Sequence, residues 1–213
     1  MKSMEKKKVI IWDFDGPIVD SREIALELTQ YEYHGIDEHN HRDLFNKNIY
    51  EELSKLKRKS ISDEELTAFL EKSYWPRKLK LTPVQGIGEV LSALSKNFSM
   101  VINSSSPEPQ IVRYLTKYNF LSFFQKIYGK EIKSKEEKFK LILRDFNVAA
   151  ADCILITDTI GDVLEAESLN IPSIIVLWGY QLKKHFDSLD EKVTFVEHAS
   201  EITKAVESHF SKI

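Results

Sequence analysis

A doubly wound α/β fold, a parallel sheet with helices on both faces, is what this sequence predicts, with an α-helical cap inserted into it. Three observations predict it. Four short apolar runs, rich in β-branched residues, read as strands covered on both faces: VIIW (9–12), FSMVI (98–102), CILIT (153–157) and SIIVLW (173–178). Helical patterns alternate with the later runs, which makes βαβ units. The segment from Ser21 to Thr82 breaks that rhythm, since it holds no strand-like run and its helical patterns are rich in Glu, Lys and Leu.

In chain order, VIIW is the first core strand, and residues 20–83 form the helical cap between two core segments, 1–19 and 84–213. So long a helical stretch between core strands is an insertion, not a crossover. Within it, Ser62-Asp-Glu-Glu65 has the form of a capping box, each end satisfying a free backbone N–H of the other. Pro83 and Gly86 punctuate the return to the core. After the strand at 98–102, Ile111, Val112 and Leu115 share one face of a helix over 107–118. Phe139, Ile142, Leu143 and Phe146 do so over 135–146, with Ser134 as the N-cap. Val163, Leu164, Ala166 and Leu169 do so after Gly161.

The 213 residues suffice for one full domain plus an insertion, so no disulfide or structural metal is needed to hold a core. A formal net charge of −3 argues against a surface for nucleic acid. Only Cys153 is present, inside the apolar run CILI, where it packs as a small hydrophobe in a reducing compartment. The start MKSMEKKKVIIW lacks the long apolar region of a secretory signal, and no run approaches the ~18 residues of a membrane span. The expectation is a cytoplasmic protein that binds no membrane.

The chemistry is expected at the carboxyl ends of the strands, where open parallel sheets bind ligands. The first strand runs into WDFDGPIVDS, and alternation lets Asp13 and Asp15 face one pocket, with Gly16 allowing the turn away. Two acids can divide labour there, one as nucleophile and one as general acid, although acidic residues also commonly end strands. Beside phosphate and Asp13, Asp15 should hold its proton more readily than a free Asp, while a metal would pull the other way. LITDTIGD places Asp158 and Asp162 at a second strand end, where they either open a helix or share a cation with Asp13 and Asp15. Hard oxygen ligands of this kind suit Mg²⁺. NSSSP (103–107) offers Ser104 and the N–H groups that open a helix, a phosphate-binding arrangement or simply a loop. Lys133 and Lys135 lie at the start of a helix, amid lysines that a solvated face also explains. His39 and His41 read as a polar, exposed loop, and Tyr74 and Trp75 as packing between helices.

The ordered set DFDGPIVDS, Ser104, a lysine and TDTIGD resembles the haloacid dehalogenase superfamily of phosphohydrolases, in its branch with an α-helical cap, alongside phosphoglycolate phosphatases and β-phosphoglucomutases. The resemblance runs from Val9 to about Leu182. It implies that Asp13 attacks phosphorus and becomes phosphorylated, and that Asp15 protonates the leaving oxygen and then deprotonates water. It further implies that Ser104 and the N–H of Ser105 hold a phosphoryl oxygen, and that a lysine bridges Asp13 and the phosphate. Lys135 is preferred for that role, with Lys133 second. Mg²⁺ would take the Asp13 carboxylate, the Asp15 carbonyl and Asp158, with Asp162 binding or orienting its waters. The substrate would be a small phosphorylated metabolite. Phosphomutase activity shares every motif, and a receiver-like phosphoacceptor shares most of the chemistry. The sequence departs from the family pattern at Pro17, where Thr or Val is usual, and at Thr157, where Gly is usual.

Overall fold

A computed structural model describes residues 7–132, 134–189 and 193–211. Among them, six strands form one all-parallel sheet: β1 (Val9–Trp12), β2 (Ser99–Asn103), β3 (Lys126–Tyr128), β4 (Cys153–Thr157), β5 (Ser173–Val176) and β6 (Thr194–Val196), in the order β3-β2-β1-β4-β5-β6. The four apolar runs supply the inner strands. β3 and β6 are the edge strands, three residues each, and KIY and TFV both pass from an exposed first residue to a buried third. That partial exposure is why no apolar run announces them.

The helices are α1 (Arg22–Glu32), α2 (Glu38–Asp43), α3 (Ile49–Ser54), α4 (Asp63–Phe69), α5 (Trp75–Lys78), α6 (Ile87–Leu94), α7 (Glu108–Lys117), α8 (Lys135–Phe146), α9 (Ile160–Glu167) and α10 (Ala199–Phe210). The sheet divides two apolar layers. Ile10, Trp12, Met100 and Ile102 pack on one side with α6, α7 and α10, while Val9, Ile11, Val101 and Leu155 pack on the other with α8. Each β1 residue is wholly buried, as a central strand covered on both faces requires. Cys153 sits in the second layer, and burial pushes its thiol up to about 12. Leu164 departs from its expected face and is 44% exposed, whereas Val163 and Ala166 are buried.

Between β1 and α6 the chain leaves the sheet and builds α1 to α5. The expected box at Ser62 and Glu65 caps α4, with both reciprocal bonds made. A π-helical turn at Leu70–Tyr74 joins α4 to α5, a departure from α geometry that often marks a functional position. The segment leaves and returns at one place. Val84 N–H donates to Ile18 O at 2.9 Å, and Val19 pairs with Pro83. No helix among the described residues is long and apolar enough to cross a membrane.

Candidate active site

The ends of β1, β2 and β4 open on a cavity of about 190 Å³ that Asp13, Asp15, Ser104, Ser105, Lys135 and Asp162 all line. β1 ends at Trp12, and the Asp13 N–H still bonds Ile156 O of β4 at 2.9 Å, so the register of the sheet fixes where Asp13 stands. Its Oδ1 accepts from the Phe14 N–H at 2.8 Å and faces Lys135 Nζ at 3.2 Å. Lys135 also pairs with Asp162, whose Oδ2 accepts from the Thr157 hydroxyl at 2.7 Å. Ser134 caps α8, accepting from the Glu137 N–H at 3.1 Å, which places Lys135 in the first turn. A cation is disfavoured there by the helix dipole, and Asp13 and Asp162 offset that.

Asp15 sits in a second network. Ser21 Oγ donates to its Oδ1 at 2.5 Å and Ser106 Oγ to its Oδ2 at 2.6 Å. Lys78, reaching in from α5, places Nζ 2.6 Å from Oδ1 and 2.9 Å from Ser106 Oγ. Burial alone would raise the Asp15 carboxyl, but the Lys78 ammonium and the two hydroxyls outweigh it and hold it below the usual range. Asp13 goes the other way. Burial, reinforced by Asp162 and Asp15 and only partly countered by Lys135, lifts it to about 7. Asp158 is raised as well, by burial first and then by Asp13. The protein's own groups thus pull Asp15 opposite to the pull expected of Asp13 and phosphate, because Lys78 comes from a helix whose approach no local motif announces.

A family model for haloacid dehalogenase-like hydrolases matches residues 10–176, most of the chain. The chain belongs to that family. Among curated proteins, none matches it. Similar solved structures include a haloacid dehalogenase-like hydrolase from Streptococcus pneumoniae (19% identity, 95% of this chain and 100% of that one, TM-score 0.73). A predicted phosphatase from Clostridium acetobutylicum is similar too (20%, 96% and 100%, 0.74). So is a predicted phosphoglycolate phosphatase from Haemophilus somnus (14%, 96% and 100%, 0.70). At these identities the likeness establishes the shared fold.

Against the haloacid dehalogenase pattern, both departures have a local account. The turn after Gly16 is closed by the N–H groups of Gly16, Ile18 and Val19, so none of these bonds draws on position 17, where proline has no N–H to give. Thr157 supplies the hydroxyl that holds Asp162. Lys133 lies outside the described residues. Ser104 Oγ accepts from the Ser106 N–H at 3.0 Å, and α7 begins at Glu108 behind Pro107, so this loop is ordered by its own bonds. His41 departs from its expected exposure, and several other residues enter the site. His41 is buried in α2, lines the cavity and bonds Thr29 Oγ1 at 3.1 Å, while His39 is exposed. Tyr74 packs edge-on against Trp75 and also lines the cavity. Ser106, Lys78 and Lys138 carried no motif. Lys138 is fully buried behind the serine loop and donates to Ser104 O at 2.5 Å.

The fit to a cation can be judged from Asp158. Its Oδ2 accepts from the Tyr180 N–H, while its Oδ1 is buried with no hydrogen-bond partner. Gly16, at φ +99, and Gly179 flank this carboxylate so closely that a Cβ on either would overlap it. An orphaned carboxylate oxygen in a glycine cradle, beside the raised Asp13, is short of positive charge. No three His, Cys, Asp or Glu side chains among the described residues form a metal cage by themselves. Mg²⁺ does not need one, because it keeps several waters and takes one or two carboxylates plus phosphate oxygens.

Proposed function

We propose that this hydrolase is a Mg²⁺-dependent phosphatase that cleaves a small phosphomonoester through an aspartyl-phosphate on Asp13. The observation that carries the reading is the asymmetry of Asp13. The Phe14 N–H and Lys135 both contact its Oδ1, which leaves Oδ2 to attack. The Oδ2–P bond forms as the bond from phosphorus to the leaving oxygen breaks, and Asp15 supplies the proton that this oxygen gains. Water then attacks phosphorus while Asp15 accepts its proton, and Asp13 is released as carboxylate. The ionised state that Lys78 imposes on Asp15 suits the second half-reaction directly. The first half requires Asp15 to gain a proton as the phosphate dianion enters and draws on the Lys78 charge.

Asp13, the Asp15 carbonyl and Asp158 would hold the Mg²⁺, with Asp162 orienting its waters. Bound there, the ion would neutralise charge on the phosphoryl oxygens. Lys135 would bridge Asp13 and the phosphate, and Ser104 with the Ser105 N–H would take a phosphoryl oxygen. Residues 20–83 would act as a cap closing over the site, in a chain working in a reducing, cytoplasmic setting. Phosphomutase chemistry, which needs room to rebind a phosphorylated product, finds less support in a cavity of this size.

The test is Asp13→Asn assayed on aryl and alkyl phosphates with Mg²⁺, with circular dichroism as the check on folding. Turnover should vanish while the fold persists. Turnover near that of the wild type would end the aspartyl-phosphate reading.

A further inference from the structure

We infer that the ester turned over here carries a small, uncharged leaving group with an apolar face, selected by Leu28, Phe45, Ile49 and Leu53 of the helical insertion. The inference rests on the phosphatase reading and names its substrate class. Ala25 and Leu28 of α1, Phe45 after α2, and Ile49 and Leu53 of α3 line the same cavity as Asp13. All five are only partly buried, and none belongs to the apolar clusters that build the core. Apolar side chains left half-covered against a reactive centre are surface that a ligand can cover.

The charges around the cavity point the same way. Lys135 is held by Asp13 and Asp162, and Lys78 by Asp15. Arg22 is clamped by Asp20 at 2.7 Å and faces a neighbouring cavity, and Arg58 lies 3.6 Å from Glu32. Lys47 reaches the cavity from an exposed position, where a charge is screened by water. His41 is neutral, burial and then Arg42 having pushed its pKa down to about 4. Glu165 of α9 lines the cavity too and accepts from Asn48 at 2.8 Å. A carboxylate or second phosphate on the leaving group would therefore meet apolar carbon and an acid, with neutral polar groups of the lining and a water-screened Lys47 to set against its lost hydration. At about 190 Å³ the cavity is smaller than the ~300–1,000 Å³ usual for ligand sites, so the group is also small.

The experiment measures binding, so that it stands apart from turnover. Asp13→Asn in Mg²⁺ is titrated calorimetrically with propyl phosphate and with phosphoglycolate, two esters of similar size that differ by a carboxylate. Propyl phosphate should bind at least about tenfold tighter, since leaving a buried charge unpaired costs more than the ~1.4 kcal/mol that tenfold represents. Adding Leu53→Lys should swing that ratio at least about tenfold toward phosphoglycolate, and Leu53→Gln should weaken propyl phosphate without recruiting the other. Equal binding, tighter phosphoglycolate, or no binding of either overturns the inference. Wild-type turnover of the two esters is scored separately. Hydrolysis of neither, beside the expected binding preference, would count against the phosphatase reading alone, since the binding preference is read without turnover.

Discussion

The carboxyl edge of the sheet and the insertion that faces it are built on opposite principles. At the sheet edge, Asp13, Asp15, Lys135 and Asp162 each have a charged partner. Asp13 directly follows the end of β1, where backbone register fixes it, while Lys135 and Asp162 stand in the first turns of α8 and α9. Across the cavity the insertion presents apolar carbon. It meets the core through scattered polar links: Lys78 to Asp15, Tyr50 OH to Ser105 O at 3.3 Å, and Gln181 Nε2 to Asn46 Oδ1 at 2.7 Å. The difference teaches that reaction and selectivity are separable here. Substitutions at the sheet edge should slow the reaction whatever the shape and charge of the leaving group, whereas substitutions in the insertion should change which ester is preferred.

The largest break in that comparison should come from Asp15→Ala. General acid–base catalysis contributes about 10²–10⁴-fold, so single-turnover rates should fall by that order for an alkyl ester and far less for an aryl ester. The aryl leaving group hardly needs a proton. Equal losses on both would remove Asp15 from the acid role. Next comes the metal. Asp158→Ala should weaken Mg²⁺ binding by at least about tenfold, the lower bound even for groups that only support a metal site. Glu207→Ala, on the exposed face of α10, should leave it unchanged. Equal Mg²⁺ affinity in the two variants would contradict the cation site. Glu165, on a helix whose other face is exposed, is no neutral control, because it lines the cavity.

The smallest effect is thermodynamic and concerns Lys138. Burial, and then Lys135, lowers its pKa from 10.5 to about 8. Below about pH 8 both folded and unfolded chains carry the charge, and the folded one pays for hiding it. Between about 8 and 10.5 the folded chain has lost a proton that the unfolded chain keeps, so stability should rise with pH across that window, by roughly 3 kcal/mol at most. Lys138→Met should flatten the rise and increase the melting temperature at pH 7, by about 2–4 °C for each kcal/mol recovered. Thermal scans from pH 7 to 10 check it, and an unchanged pH slope would refute it.

Much of this was legible in the sequence because it depends on local pattern. VIIW and CILIT are buried on both faces, so they appear as unbroken apolar runs, and the acids that follow them inherit their place from the strand ends. Ser134 and the helical spacing behind it located Lys135. What stayed hidden depends on distance along the chain. Lys78 is a lysine in a helix of WPRK until the return of the insertion carries it to Asp15, 63 positions earlier. His41 looked solvated because its neighbours are polar, and only the packing of α2 against α1 and Tyr180 buries it. Ser106 gains its meaning from Asp15 and Lys78 together.

Gly161, in the first turn of α9, carries a mechanical consequence. A Cβ there would overlap the carbonyl oxygens of Lys47 and Phe45, which are main-chain atoms of the insertion and cannot swing aside as a side chain would. The clearance between the two halves of the molecule is thus set by one missing methyl, immediately before Asp162. An alanine at this position would act as a wedge, holding the roof off its seat while every acid at the sheet edge kept its own bonds. Such a protein would be propped ajar, with its chemistry intact and its ability to discriminate between esters diluted by solvent.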